Sequence, residues 1–275
     1  MPARNFTNSE EAEIVKLYTV GKFGIKQIKR AYGYKYHISF SAALKRQGVT
    51  IRSNHEANRI YKINPYVFDK IDNEQAAYFL GFIYADGCVH KRSLSVAIKR
   101  EDVKIIQRLK SFLQSEHPIK NTSCGATKTD KRYNQVTFIV THKHLAKRLK
   151  QLGINKDRPN INDCLSQVPS RLLNHWLRGL FDGDGSWHKA IGMNICGQKD
   201  AMESCRKILI KYANTSPVPQ VYKHQIANIW YINYGGRVQC LRIADWIYKD
   251  ATIYLKRKYT IPYNWRNPNK KEATF

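Results

Sequence analysis

Two short runs hold the residues best suited to chemistry, and one repeats the other. Ala76-Ala77-Tyr78-Phe79-Leu80-Gly81-Phe82-Ile83-Tyr84-Ala85-Asp86-Gly87 is echoed by Trp176-Leu177-Arg178-Gly179-Leu180-Phe181-Asp182-Gly183-Asp184-Gly185, with Gly81 and Gly179, and Asp86 and Asp184, each 98 residues apart. An apolar run stopped by glycine reads as a buried helix with a left-handed cap position at Gly87 or Gly185. Ala77, Gly81 and Ala85 in one copy, and Gly179 and Gly183 in the other, recur at helical spacing. Each predicted helix therefore has a face almost free of side chains, and two such faces pack unusually close. Close packing carries Asp86 and Asp184 to the same end of the helix pair. A carboxylate there sits at the negative end of a helix dipole and beside a like charge. A local rule broken twice in the same way implies a compensating cation. Oxygen ligands at the end of a helix pair suit Mg²⁺, with Mn²⁺ as an alternative, because Mg²⁺ takes few carboxylates and fills its shell with water and phosphate.

The elements that must position these acids repeat as well. After Gly87 the pattern predicts strands over 88–91 and 93–99, where Leu94, Val96 and Ile98 alternate with Ser95 and Ala97, then a helix over 101–112. Strands over 119–124 and 135–141 and a basic helix over 143–152 complete the first copy. The second runs in the same order: strands 186–189 and 191–198, helix 200–212, strands 218–225 and 228–234, helix 238–248. Each copy reads αββαββα. The fold class is α+β, with two pseudo-symmetric half-domains, 74–165 and 166–275, whose antiparallel sheets each keep one face against helices and one free. The free faces form a saddle. Lys99, Gln135, Thr137 and Thr141 in the first half, and Asn194, Gln198, Lys223 and Gln225 in the second, are read as its contacts to base edges and phosphates.

Residues 1–53 form a separate all-α module. Thr7-Asn8-Ser9-Glu10 is a capping box, Ile14, Leu17 and Tyr18 continue the stripe, and two short helices come next, ending at Gly33 and Gly48. Short helix, glycine-containing turn, helix is helix-turn-helix spacing. Up to Lys62 there are twelve basic and four acidic residues. With the third helix for recognition, Ile38, Ala42 and Leu44 face inward and Ser39, Ser41, Lys45 and Arg46 face the groove. Residues 54–73 are a connector, in which Ile63, Tyr66, Val67 and Phe68 dock onto the repeated part of the chain.

Of the 275 residues, 47 are Lys or Arg and 21 Asp or Glu, a net charge of +26. So lopsided a balance makes nucleic acid the leading partner. No apolar run approaches the roughly eighteen residues a membrane span needs. Six cysteines without a C-x-x-C pair, and no secretory signal over Met1 to Glu13, predict reduced thiols in a cytoplasmic protein associated with bacterial or phage DNA. No Cys or His set has zinc spacing. A calcium loop begun at Asp182 needs Glu at its twelfth position, where Met193 stands.

At the two runs that end in Asp86-Gly87 and Asp184-Gly185 the sequence resembles the LAGLIDADG homing endonuclease family, in its single-chain form with two motifs. The resemblance covers Asn64 to the C-terminus. It implies that the motif helices form the interface between the half-domains and that Asp86 and Asp184 bind the catalytic metal. It further implies a monomer that cuts double-stranded DNA at a long asymmetric site across the minor groove, leaving short 3′ overhangs, in the service of intron or free-standing gene homing. The sixth motif position, often Asp, is Tyr84 in the first copy and Asp182 in the second, and is not the family's metal ligand. Each family site also has a basic residue after the last helix of its half-domain; by position these are Lys258 and Arg158, with Arg257 and Lys156 close enough to be the occupants instead. Two rival readings share the fold: a non-catalytic DNA-binding transcriptional regulator, and an intron maturase that binds RNA. Retention of both acids weighs against the first. Self-splicing is not expected of a chain that starts at Met1 and ends Thr274-Phe275.

Overall fold

The computed structural model describes residues 6–34, 37–52, 61–126, 129–155, 159–188 and 190–266. By contacts the chain divides into two compact units, Met1–Lys62 and Ile63–Phe275. The division falls inside the stretch read as a connector.

Among its described residues the first unit has the helices α1 (Asn8–Thr19), α2 (Ile25–Ala31) and α3 (Ile38–Arg46). Thr7 caps α1 as its sequence predicts, with Glu10 N donating to Thr7 Oγ1 at 3.3 Å and Thr7 N to Glu10 Oε2 at 2.9 Å. Phe6, Ile14, Tyr18, Ile28, Phe40, Ala43 and Leu44 form its core. The phase of α3 differs from the expected one. Ile38 is 63% exposed, whereas Ser39 and Phe40 are buried, because the ring of Phe40, not Ile38, fills the space between Phe6, Tyr32 and Tyr34.

The second unit opens with a segment docked on the rest. Asn64 N–H donates to Leu113 O at 2.9 Å, Phe68 is fully buried and Arg148 Nε donates to Phe68 O at 3.0 Å. Two αββαββα repeats come after it. The first comprises α4 (Glu74–Asp86), β1 (Gly87–His90), β2 (Ser93–Lys99), α5 (Val103–Phe112), β3 (Ile119–Ala126), β4 (Thr129–Thr141) and α6 (Lys143–Gln151). The second comprises α8 (Leu173–Asp184), β5 (Gly185–His188), β6 (Gly192–Gly197), α9 (Lys199–Tyr212), β7 (Val221–Lys223), β8 (Trp230–Gly235) and α10 (Arg237–Ile247). Two further helices, α7 (Ile161–Ser166) and α11 (Lys256–Arg266), are not expected from the sequence pattern.

Both sheets are antiparallel, ordered β1-β2-β4-β3 and β5-β6-β8-β7. Alternation gives each one apolar face, with Leu94, Val96, Val136, Phe138 and Val140 buried in the first and Met193, Ile195, Ile232 and Tyr234 in the second. These faces join the motif helices in one continuous core. At its centre, α4 and α8 touch through their backbones. A β-carbon at Gly81 would lie 2.0 Å from Trp176 O, and one at Gly179 2.0 Å from Tyr78 O. No side chain fits at either position.

The expected left-handed caps are not there. Gly87 and Gly185 are extended, at φ −88° and −97°, and each helix runs directly into a strand. Glycine is needed there for closeness: a β-carbon would meet Ile83 O at 2.4 Å at Gly87 and the Phe181 ring at 2.1 Å at Gly185. Gly33 and Gly48, by contrast, are left-handed, at φ 69° and 68°. No described helix is long and apolar enough to cross a membrane.

Candidate active site

Because α4 and α8 are in backbone contact and end in register, their last residues, Asp86 and Asp184, arrive together. A β-carbon at Gly183 would lie 3.2 Å from Asp86 Oδ2, so the Asp86 carboxylate rests against the last turn of α8. Burial, and for Asp86 the neighbouring Asp184, pushes each carboxyl up to about 6. Ionised at neutral pH, the pair has negative charge and too little water to balance it.

Lys258, in the first turn of α11, is 4% exposed. Its ammonium donates to the carbonyls of Phe181, Asp182 and Gly185 at 2.7, 2.6 and 2.6 Å. With Gly183 O at 3.4 Å as a fourth acceptor, the ammonium fills the open C-terminal end of α8, which the helix dipole makes negative. Lys258 thus caps the turn presenting Asp184 and lies close enough to both Asp86 and Asp184 to lower their pKa values against the effect of burial. Burial holds its pKa down to about 8. Arg257, the alternative basic residue, grips Asp102 in a fork, with Nε at 3.2 and 3.1 Å from the two carboxylate oxygens and Nη2 at 2.9 Å. Arg158 and Lys156 lie outside the described residues.

Asp182, at the variable motif position, is buried and not part of the acid pair. Its Oδ2 accepts from the Tyr78 hydroxyl at 2.7 Å and from Leu255 N–H at 2.8 Å. Burial raises its pKa to about 6. These bonds fix the chain just before α11, and with it Arg257 and Lys258.

A cavity of about 320 Å³ opens beside Asp86, lined among others by Asp182, Lys99, Asp102, Gln135 and Arg257. Among the described residues no group of three or more His, Cys, Asp or Glu side chains could cage a metal. Two carboxylates whose ionisation is opposed by burial do fit a hard divalent cation that takes its remaining ligands from water and phosphate.

No family model matches the chain, and no curated protein matches it by sequence. Solved structures do. The homing endonuclease I-WcaI bound to its DNA recognition sequence superposes with a TM-score of 0.52 at 15% identity, over 78% of this chain and 97% of that one. The chain has the LAGLIDADG homing endonuclease fold. Mesophilic variants of the homing endonuclease I-DmoI match over 63% of this chain and 88% of theirs, with 16% identity and a TM-score of 0.44. The N-terminal LAGLIDADG domain of WhiA matches over 72% and 94%, with 16% identity and a TM-score of 0.44. At such identities the likeness is one of fold.

On this LAGLIDADG fold the expected contact residues divide by register. Lys99 pairs with Gln135, Ala97 with Thr137 and Ser93 with Thr141, which puts Lys99, Gln135, Thr137 and Thr141 on the open face of the first sheet. Asn194 lies on the open face of the second, its amide donating to Asn233 Oδ1 at 2.8 Å. Lys223 does not lie on that face. It pairs with Trp230, two residues from the Val221 and Ile232 pair, and so stands on the apolar side; the open residue of β7 is Tyr222, opposite Tyr231. Gln225 falls in the β7 to β8 connection and Gln198 at the cap of α9.

In the first unit Ser39 is 8% exposed on the packed side of α3, which corrects its assignment to the groove. Arg46 is held by Glu11, with Nε at 2.9 Å from Oε1, while Ser41 donates to His37 O at 3.4 Å. Lys45 is exposed. Sequence reasoning missed Lys120, Thr122, Tyr222, Tyr231 and Asn233, all on open sheet faces by register. Strand alternation carries the signal for them once parity is known.

Proposed function

We propose that this chain is a divalent-cation-dependent endonuclease that cuts duplex DNA at a long, asymmetric site. The observation that carries the reading is the pair Asp86 and Asp184, brought together at one end of a helix interface too tight for side chains, with pKa values raised by burial. Such a pair is destabilised in the free protein, and its natural remedy is a cation.

Phosphodiester hydrolysis needs an activated water and relief of charge on phosphate and leaving oxygen, which a bound divalent cation supplies. The chain's own groups do the rest. Asp86 and Asp184, one per half-domain, would hold that cation, and each would serve one strand. Lys258 and Asp182 fix the turn beside Asp184. Lys99 and Gln135, at the edge of the Asp86 cavity, are placed to orient a strand through its phosphate and base edge. Cleavage of both strands follows from one acid per half. The net charge of +26 supports a nucleic-acid partner, as does the DNA held by the I-WcaI structure. We assign residues 1–53 the role of a helix-turn-helix that extends the footprint, through Lys45 and Ser41.

The test is a cleavage selection on a randomised duplex library with Mg²⁺ or Mn²⁺, comparing the wild type with the Asp86→Asn/Asp184→Asn double variant. One long motif cut by the wild type and not by the variant supports the reading. Specific duplex binding by both without cutting by either overturns it in favour of a regulator, and preference for structured RNA overturns it in favour of a maturase.

A further inference from the structure

We propose that a second cavity, beside the one at Asp86, binds an unpaired nucleotide of a nucleic-acid strand. The inference rests on the nucleic-acid part of the proposed function and adds a site to it. This cavity, of about 600 Å³, shares Asp102, Leu255 and Arg257 with the Asp86 cavity. It lies between α5 of the first half and the start of α11 of the second. Its volume is within the usual range for small-ligand sites, roughly 300 to 1,000 Å³.

Its lining combines two chemistries. Lys104, Arg108, Lys256 and Arg257 supply four cations against the carboxylates of Glu101 and Asp102. Asp102 is already matched by the fork of Arg257. Arg108 donates to Thr252 O at 2.6 Å, which fixes its guanidinium at the rim, and Lys104 is exposed one turn away. Beside these cations stand Tyr254 and Tyr259, both partly exposed, stacked with ring centroids 4.4 Å apart and planes at 26°. Tyr248 braces Tyr259 edge-on at 5.1 Å. The two rings are therefore held by each other and by Tyr248.

A cationic rim next to an aromatic platform is the combination by which proteins hold single-stranded nucleic acid, with phosphates on the cations and a base against the ring. An acidic peptide would use the cations and leave the platform unmatched, whereas a nucleotide uses both. A paired base is stacked inside its duplex, so the occupant is an unpaired one. The shared Asp102 and Arg257 place it next to the strand that Asp86 serves, as an unpaired end would be after a staggered cut.

The experiment irradiates the full chain, in EDTA, with a single-stranded DNA oligonucleotide carrying one 5-iodouracil base, and maps the crosslink. The expected site is Tyr254 or Tyr259, and Lys104→Glu/Lys256→Glu should weaken the oligonucleotide by about tenfold or more. Competition identifies the source: a deoxynucleoside monophosphate that displaces the strand points to a free nucleotide, and an RNA of the same sequence that displaces it at lower concentration points to RNA. Crosslinks confined to the open sheet faces, or a strand affinity indifferent to both lysines, overturn the inference. A wild type that cuts duplex DNA without crosslinking at these tyrosines defeats this site alone; one that crosslinks there yet never cuts defeats the endonuclease reading instead.

Discussion

Glu74, at the start of α4, accepts a hydrogen bond at 2.5 Å from Arg178, in the middle of α8. Arg178 is fully buried. It also donates from Nε to Ile253 O at 2.8 Å and from Nη1 to Ile247 O at 2.7 Å. The other lone pairs of Glu74 receive Thr252 N–H at 2.7 Å and the Thr252 hydroxyl at 2.6 Å. One charge from each motif helix thus clamps the connection from α10 to α11, the segment that delivers Arg257 and Lys258 to the acid pair.

Removing one partner of this clamp strands the other. Glu74→Ala leaves a buried guanidinium without its counter-charge and should destabilise the second unit by about 3 kcal/mol. Arg178→Lys should lose nearly as much, because an ammonium replaces a fork that serves Glu74, His175 and two carbonyls at once. Thermal denaturation checks both; a Glu74→Ala melt equal to wild type would mean the clamp does not hold α11.

The helix interface makes a sharper demand. At Gly179 a methyl group would sit 2.0 Å from Tyr78 O, which is backbone and has nowhere to go. Gly179→Ala should therefore separate the helices, destabilise by about 3 kcal/mol or more and pull the acid pair apart. Gly33→Ala meets no atom within 4 Å and has only its φ of 69° against it, for about 1 kcal/mol. Denaturant titration of the two variants should show this order, and the reverse would refute the backbone contact.

That interface is legible in sequence because close packing leaves glycine and alanine at helical spacing, twice, and the strands because one buried face forces alternation. The misses show where local pattern stops. Apolar residues occur all round the nine-residue α3, so Ile38 and Phe40 compete for the inward face and only tertiary packing decides for Phe40. The three residues of β7 are too few to fix parity, so alternation alone puts Lys223 on the wrong side. The α11 segment mixes aromatic and basic residues and carries Pro262 in its interior, which masks a helix. Glu74 and Arg178 are 104 residues apart, and nothing local marks either for the other.

Protons and a cation compete for the acid pair. The ordinary carboxyl of Asp titrates at 3.8, and the folded values for Asp86 and Asp184 are about 6. Between those limits the folded state binds more protons than the unfolded one, so the metal-free protein loses stability as pH rises through that window. Mn²⁺ or Mg²⁺ should raise Tm more at about pH 7.5 than at about pH 5. Asp86→Asn should raise the metal-free Tm at the higher pH and shrink the cation's effect. Equal cation shifts at both pH values would count against the acid pair as the binding site.

The first unit responds to acid in the opposite sense. Glu11 is held below its ordinary value by hydrogen bonds from Gln47 and Arg46, with Gln47 Nε2 at 2.7 Å. Its contribution is complete above the unfolded value of 4.5 and is lost as pH falls through the lower folded value. Hydrogen exchange of α1 and α3 amides, relative to its intrinsic rate at each pH, should accelerate below pH 4.5 in the wild type. In Glu11→Gln it should already be faster at neutral pH and change less with acid.

The register of the second sheet can be read out in salt. With about six to ten phosphate contacts, duplex affinity should fall by roughly 10³ to 10⁵ between about 50 and 200 mM salt. Lys99 faces outward from the first sheet beside Gln135, whereas Lys223 stands on the apolar side of β7, level with Trp230. Lys99→Ala should therefore lower the salt slope by about one, and Lys223→Ala should leave it where it was. Binding isotherms across a salt series separate the cases. If Lys223→Ala flattens the slope as much as Lys99→Ala does, β7 presents its other face to DNA, and Tyr222 and Tyr231 lose their place on the contact surface.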